Sequence, residues 1–299
     1  MALNQEIWIA QIQELFTSDN TFASVLPNYS EWVNGKYVHI PNAGTISNLV
    51  SKNVSSWPIT GVTSRTDGDN QIAMDTYYLN PIVLTTPIEE LEFSYSKRSS
   101  VMNASLKQLT EATNDGLILD MSTGASVITG TGTGRAAIHA SQTGNRSGIT
   151  MAEIRKAAYL FNSQNLPAEG RWLLLPAELL NDLVSLTEFQ YSYTLTNTVV
   201  VDGFIGKIGG FNVVVRDRVL LTNSGNTLLT TQTMAATYNA AALAFSTATN
   251  FRAVGEVKMF EKLGDPNYMA DVISGLVRSK GGNMYSTPLG VAVIAEKVA

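Results

Sequence analysis

The sequence contains no cysteine and only two histidines in 299 residues. Without cysteine there can be no disulfide bond, no thiolate metal site and no cysteine nucleophile, and the absence fits assembly in a reducing cytoplasm. The histidines, His39 and His139, lie far apart, and neither has ligand residues around it at the spacing of a metal site. We therefore interpret both as structural and expect no metal site and no cofactor.

Charged residues are also sparse, at 15% of the chain, and the formal net charge is −5. Tight nonspecific binding of nucleic acid needs clustered Lys and Arg, whereas basic residues occur here only as pairs or near-pairs. Residues 1–6 lack the basic and apolar runs of a signal peptide. The longest apolar-rich stretch, 234–245, is too short and mixed to span a bilayer. We expect a soluble protein of cytoplasmic origin without membrane association.

No catalytic motif in the sequence meets its structural requirements. The patterns G-x-S-x-G, H-E-x-x-H and G-x-x-x-x-G-K-[ST] are absent. The run Gly-Thr-Gly-Thr-Gly-Arg at 130–135 could cradle a phosphate only if a buried strand preceded it and a helix opened directly behind it, so a flexible surface loop is favoured. Residues 67–70 resemble part of a calcium loop but lack the bidentate Glu, which favours a tight turn. We expect no enzymatic activity.

Helical spacing of apolar residues predicts five helices. The first covers 3–16, with Trp8 on its apolar face. The second covers 97–113 and should be closed by Asn114-Asp115-Gly116. The third follows a capping box formed by Thr150 and Glu153. Two more are predicted: a helix started by Pro176 and the alanine-rich stretch 234–245.

Strand patterns account for most of the remaining chain. Residues 70–79 alternate as a half-solvated strand does, with Ile72, Met74, Thr76 and Tyr78 on one side. Turns are expected at 34–35 and 280–283, and weak strands within 122–148, where 127–128 and 136–138 look buried. Further strands are predicted at 37–41, 81–84, 89–95, 172–175, 211–215, 251–260, 268–278 and 290–295.

A long polar stretch between 41 and 70 separates two of these strands and holds Trp57 and Arg65. A compact domain seldom needs roughly twenty or more loop residues between strands, so we expect this stretch to make contacts outside its own fold. No internal repeat or linker separates independent domains.

Four short segments and the order of the elements resemble a known family. The segments are Val-His-Ile-Pro-Asn-Ala-Gly at 38–44, Gly-Arg-Trp-Leu-Leu-Leu-Pro at 170–176, Ile-Gly-Gly-Phe-Asn-Val at 208–213 and Gly-Val-Ala-Val-Ile at 290–294. Together they resemble the tailed-phage major capsid protein, with the Hong Kong phage capsid fold that encapsulins share. The resemblance covers nearly the whole chain.

The resemblance implies an α+β phage major-capsid fold with several named parts. They are an N-terminal arm at 1–36, an extended β-loop and its base at 37–95, a peripheral domain with a long spine helix at 96–167, an axial domain at 168–250, returning peripheral-domain strands at 251–282, and a C-terminal axial-domain strand at 283–299.

The implied function is self-assembly, through hexamers and pentamers, into the icosahedral head shell that encloses tailed-phage double-stranded DNA. The location would be the virion capsid, assembled in the host bacterial cytoplasm, with the DNA enclosed without sequence-specific binding. Many members begin with a cleaved scaffolding region, which is missing before the arm here. A separate scaffolding protein and a portal are therefore implied as partners.

We expect subunit contacts at seven residues: Trp8, Trp57, Arg65, Glu89, Glu92, Lys97 and Arg98. The two glutamates lie close in sequence to the two cations, which suits ion pairing between subunits better than acid–base catalysis. An encapsulin-like nanocompartment shell is an alternative with the same fold. Alternatives from other classes are a nucleotide-binding enzyme that uses 130–135, and a tail-tube or other structural subunit.

Overall fold

The structure, a computed structural model, describes residues 21–42, 67–83, 97–184 and 204–299. The predicted helix at 3–16 and the middle of the long polar stretch lie outside these ranges. The described residues form one 3-10 turn at Ser30–Trp32 and four α-helices: α1 Thr21–Val25, α2 Lys97–Ser122, α3 Met151–Ser163 and α4 Ala177–Val184.

The same residues form sixteen strands in four sheets. In chain order they are β1 Val33–Asn34, β2 Tyr37–Asn42, β3 Gly68–Ala73, β4 Asp75–Val83, β5 Ser126–Thr129, β6 Gly134–Ala136, β7 Asn145–Ser147, β8 Arg171–Pro176, β9 Phe204–Ile208, β10 Phe211–Arg216, β11 Leu220–Thr222, β12 Asn239–Ser246, β13 Asn250–Asp265, β14 Ala270–Asn283, β15 Val291–Ala295 and β16 Lys297–Val298.

The largest sheet has seven strands in the order β5-β15-β12-β8-β10-β9, with β11 paired beside β12. The pairs β8–β10 and β5–β15 are parallel. Helices α1 and α2 contribute to the apolar core on one face of this sheet, and α3 and α4 contribute to the core on the other. A sheet covered on both faces needs strands that are apolar throughout, such as the fully buried Leu173–Leu175 segment of β8.

The alanine-rich helix predicted at 234–245 is wrong, because this stretch supplies β12. All eight residues of β12 are buried. Leu243 and Phe245 face one core and Ala242 and Ala244 the other. A short apolar run buried on both sides cannot be distinguished from a buried helix by periodicity, and here pairing with β8 and β15 decides for the strand.

A second sheet, in the order β13-β14-β4, packs against α2. Leu106 and Leu109 of the helix meet Val257, Met259 and Val277 of the sheet in a separate apolar cluster. The helix was expected to end at 114–116 but continues to Ser122. Its last turns place Leu117, Ile118 and Met121 in the core of the seven-stranded sheet, so burial outweighs the local helix-closing signal.

A third sheet, β1-β2-β3, contains the two strands that precede and follow the long polar stretch in the sequence. The turn predicted at Asn34-Gly35 is confirmed, and Gly35 has the positive φ of 61° that a tight connection favours. The tight turn expected at 67–70 is wrong, because Gly68 begins β3 and pairs with Asn42. A fourth sheet joins β16, β7 and β6.

Several smaller predictions can also be compared with the structure. The capping box at the start of α3 is confirmed, as are the strand at 172–175 and the helix behind Pro176. The turn at 280–283 is wrong, since β14 runs to Asn283 opposite β13. The alternation over 70–79 breaks at Met74, between β3 and β4, and Tyr78 is exposed. Ile138 is exposed, not buried.

Candidate functional site

Most of the seven predicted contact residues lie outside the described ranges. Trp8, Trp57, Arg65, Glu89 and Glu92 fall in residues 1–20, 43–66 and 84–96. Lys97 and Arg98 begin helix α2, where the structure describes the backbone. The seven contacts therefore stay predictions. The paragraphs below concern the described residues that flank them in the sequence.

The base of the long polar stretch is anchored to the end of β14. The β2–β3 ladder ends with Asn42 opposite Gly68. The side-chain nitrogens of Asn42 and Asn70 donate to the carbonyl oxygen of Met284 at 3.2 and 3.1 Å. Val38 and Ile40 of β2 are buried in a cluster with Phe251 of β13. Residues 43–67 therefore leave and return at two directly opposed positions of a fixed ladder.

His39 has the structural role expected of it within this ladder. Its Nδ1 lies 2.7 Å from Oδ2 of Asp69 on the neighbouring strand, and both side chains are exposed. The hydrogen bond from His39 lowers the pKa of Asp69 below its ordinary value. His139 also makes a local contact, because its Nδ1 accepts a hydrogen bond from the backbone nitrogen of Ser141 at 3.1 Å.

Lys280 joins helix α2 to the β13-β14-β4 sheet. Its Nζ lies 2.7 Å from Oδ2 of Asp75 in β4 and 2.7 Å from Oδ1 of Asp120 in α2. Burial raises the pKa of Asp120 above its ordinary value, although the hydrogen bond from Lys280 acts in the opposite direction. The three residues are far apart in sequence, and no local motif marked them in advance.

A second set of ion pairs ties the same helix to the seven-stranded sheet. Nη2 of Arg216, at the end of β10, lies 2.5 Å from Oδ1 of Asp115. Arg218 pairs with Glu111 one helical turn earlier. Together with Lys280, these cations hold the C-terminal half of α2 to two different sheets, so α2 is the element that fixes their relative position.

The glycine-rich run 130–135 does not form a phosphate cradle. The backbone nitrogens of Gly130 and Gly132 donate to the carbonyl oxygens of Ala295 and Gly148, and no helix opens behind the run, which continues into β6. The guanidinium of Arg135 is held by Asp182 at 2.5 Å and by Glu296 at 3.2 Å. The expected flexible loop is instead fixed by close backbone contacts.

Glu153 connects this run to the start of α3. Its carboxylate accepts hydrogen bonds from the hydroxyls of Thr131 and Thr150 at 2.6 and 2.5 Å, and from the backbone nitrogen of Thr150 at 2.7 Å. Burial alone would raise the pKa of Glu153, but these hydrogen bonds outweigh it and lower the pKa. The role is structural, since each oxygen that could act as a base is already engaged.

The described residues contain no group of three or more His, Asp or Glu side chains arranged to hold a metal ion. Among the helices in the described ranges, none has the length and apolar character needed to cross a membrane.

No family model matches the sequence, and no curated protein matches it either. Solved structures do match in three dimensions. The mature capsid of bacteriophage PhiM1 has a TM-score of 0.63 and 12% identity over 92% of this chain and 86% of its own. The capsid of Ralstonia phage GP4 has a TM-score of 0.62 and 11% identity over 92% and 87%. A virus-like particle from Pyrococcus furiosus has a TM-score of 0.53 and 8% identity over 95% and 96%. The chain therefore has the mixed α+β fold of phage capsid proteins, as its sequence resemblance predicted.

Proposed function

We propose that this chain is a major capsid protein that self-assembles into the icosahedral head shell of a tailed phage. The observation that carries the proposal is the whole-chain likeness to capsid subunits, which spans 92% of this chain and 86–87% of two phage capsid chains. In this proposal the subunits form hexamers and pentamers, and the shell encloses double-stranded DNA within the virion.

The base of the long polar stretch supports a role for that stretch between subunits. A loop and arm that lie on neighbours can bury on the order of 1,000 Å² per subunit, a gross gain of roughly 25 kcal/mol at about 25 cal/mol per Å². Lost rotational freedom and loop ordering cancel much of this gain. Each contact is then modest, while a closed shell with many contacts per subunit is hard to dismantle.

The domain divisions follow the same proposal. Residues 96–167 and 251–282 would form the peripheral domain, and 168–250 with 283–299 the axial domain, preceded by the arm at 1–36 and the loop with its base at 37–95. We propose the seven residues from Trp8 to Arg98 as contacts between subunits. A separate scaffolding protein and a portal complete the proposed partners, with assembly in the bacterial cytoplasm.

The sparse charge of the chain suits an inner wall that does not hold packaged DNA tightly. The net charge of −5 gives no general attraction for phosphate.

A nanocompartment shell is the second candidate function, because a virus-like particle chain shares the fold over 95% of this sequence. The nucleotide-binding enzyme has no comparable support, since Arg135 and the glycine backbone are engaged within the fold.

Electron microscopy and sedimentation velocity of the purified protein test the proposal, with and without the other head genes of its source. We expect closed polyhedral shells that protect DNA from nuclease when the complete set is present. Shells that enclose an enzyme and no DNA would support the nanocompartment. Isolated monomers under all these conditions, with affinity for a nucleotide, would refute both shell functions.

A further inference from the structure

A recess of about 230 Å³ opens beside the seven-stranded sheet. Its walls come from the β6–β7 connection, the start of α4, the β10–β11 connection and the stretch 232–240 that leads into β12. Such a volume holds about eight water-sized groups of roughly 30 Å³ each, and it is smaller than the roughly 300–1,000 Å³ of pockets for drug-sized ligands. The recess therefore suits a single side chain or a small molecule and not a nucleotide.

The inner end of the recess is apolar. Val219, Leu220, Leu221 and Ala240 line it, and each of them is at most 6% exposed. Met234 adds a further apolar side chain to the wall. A short methylene chain placed here leaves water, and each methylene group that it buries should favour binding about fourfold.

Two carboxylates also line the recess. The side chain of Asp217 is 92% exposed, and its contact with Nε of Arg218, at 3.9 Å, is too long for a hydrogen bond. Glu178 lies half-buried in the first turn of α4 and pairs with no cation in the described part of the chain. The free backbone N–H groups at a helix start favour a negative charge at that position. Both carboxylates are therefore available to a ligand.

The positive charge at the recess is already engaged elsewhere. Arg218 is the only lysine or arginine among the described residues that line it. Its Nη2 donates to Glu111 and lies 4.0 Å from Oδ2 of Asp115. Nδ1 of His139 accepts a hydrogen bond from the backbone of Ser141, so the imidazole carries its proton on Nε2 and adds no positive charge. The recess therefore favours a cation over an anion.

Gln232 adds a hydrogen-bond acceptor that has no donor. Its Nε2 donates to the carbonyl oxygen of Val219 at 2.8 Å, which fixes the amide, while its Oε1 is buried and accepts no hydrogen bond. A buried acceptor without a donor is unfavourable. A ligand with N–H groups supplies donors to this wall, whereas an anion would meet the carboxylates of Glu178 and Asp217.

We propose that the recess binds a primary ammonium group on a short aliphatic chain. The chain packs against Leu220 and Ala240, and the ammonium group pairs with Glu178 and Asp217. Free amines and the side chain of lysine carry the same group, so the ligand is either a small amine or a lysine of another protein chain. The site does not rest on the proposed shell function, because binding is a property of the single subunit.

Saturation-transfer NMR of the wild-type protein tests the site, because it detects small ligands on proteins in any state of assembly. The probes are n-butylamine, n-butanol and butyrate, which share a chain length and differ in charge. We expect saturable binding of n-butylamine, at least about tenfold tighter than either control. Ethylamine, which lacks two methylene groups, should bind about fifteenfold more weakly. Equal binding of n-butylamine and butyrate, or no saturable binding of n-butylamine, would overturn the proposal.

The double variant E178Q/D217N removes both charges and keeps the size of the side chains. It should bind n-butylamine about tenfold more weakly and lose the preference over n-butanol. The matched control is E169Q, an exposed carboxylate that does not line the recess, and it should bind like the wild type. Unchanged affinity in the double variant would overturn the site.

N-acetyl-lysine methylamide separates the two sources of the ammonium group. Binding as tight as that of n-butylamine would assign the recess to a lysine side chain of another protein chain. Binding of the free amine alone would assign it to a small molecule. Both outcomes support the ammonium site, and failure of the protein to form shells would leave the site intact while overturning the proposed function.

Discussion

The phenol of Tyr77 in β4 lies against the backbone of Gly116 in α2, in the space that a side chain at position 116 would occupy. Burial, followed by the charges of Asp120 and Asp75, raises the pKa of Tyr77 to about 12. The phenol therefore stays neutral over the ordinary pH range. Gly116 thus permits close approach of helix and sheet, where its sequence context suggested the end of a helix.

Replacement of Gly116 by alanine should destabilise the subunit by about 1–3 kcal/mol. Alanine would normally stabilise a helix interior by up to about 1 kcal/mol, but here its methyl group overlaps the Tyr77 phenol and forces a shift in packing. Urea unfolding measures the change. The double variant G116A/Y77F should recover part of the loss, and G68A is a control because a Cβ at Gly68 meets nothing within 4 Å. A stabilised G116A protein would contradict this account.

Replacement of Lys280 by methionine should cost about 1–3 kcal/mol at neutral pH, because it leaves the mostly buried Asp120 without its cation. Burial raises the folded-state pKa of Asp120, so its ionisation opposes folding as the pH rises through that value. The difference between wild type and K280M should therefore be small in acid and grow toward neutral pH. Unfolding free energies across this range check the trend. The control K107M, on the exposed side of α2, should change stability by less than about 0.5 kcal/mol. A loss of stability in K280M that is equal at every pH would refute the role of Asp120.

Replacement of Glu153 by glutamine should also cost most near neutral pH, although the pKa of Glu153 is shifted in the opposite direction from that of Asp120. The lowered pKa of Glu153 means that its carboxylate stabilises the fold above the unfolded-state pKa and loses that effect as the pH falls through the folded-state value. We expect E153Q to cost about 1–2 kcal/mol at pH 7. The gap should close in acid, as followed by thermal unfolding. The exposed Glu169→Gln substitution is the matched control, and a gap that persists in acid would contradict the hydrogen-bond account.

Closure of the β2–β3 ladder by a short turn should leave folding intact but prevent assembly into shells. Because Asn42 and Gly68 are directly opposed, residues 43–67 can be replaced by Asn-Gly, which favours a two-residue hairpin turn. We expect the shortened chain to keep its circular dichroism and cooperative unfolding, because the ladder below the turn is unchanged. Electron microscopy should then show no shells. Normal shells from this variant would refute the role proposed for the long stretch.

Local signals in the sequence predicted local structure well. Thr150 and Glu153 are three residues apart, and their hydrogen bonds depend on little beyond the first turn of α3, so the capping box was correct. The apolar run of β8 and the helix behind Pro176 were also predicted correctly from neighbouring residues. The order of such elements, together with four short segments, carried the family resemblance that predicted the fold.

Long-range contacts produced the failures. The alanine-rich β12 has no strand signal of its own and is a strand because β8 and β15 pair with it. Gly116 lies inside a helix because the burial of Leu117, Ile118 and Met121 continues α2 past it, and Gly281 extends β14 where Leu117 fills the space beside it. The ion pairs of Lys280 and Arg135 join residues that are far apart in sequence. No window of neighbouring residues contains that information.

The position of β15 between β5 and β12 sets the order in which the subunit can be completed during synthesis. Ser126 pairs with Ala292 and Ala241 with Ala295, so the sheet keeps two unpaired edges until residues 291–295 have left the ribosome. Contacts so distant in sequence form slowly, and unpaired edges bind readily to other chains. A nascent chain is therefore prone to aggregation until β15 emerges, and the pairing of β15 with β5 and β12 closes the sheet.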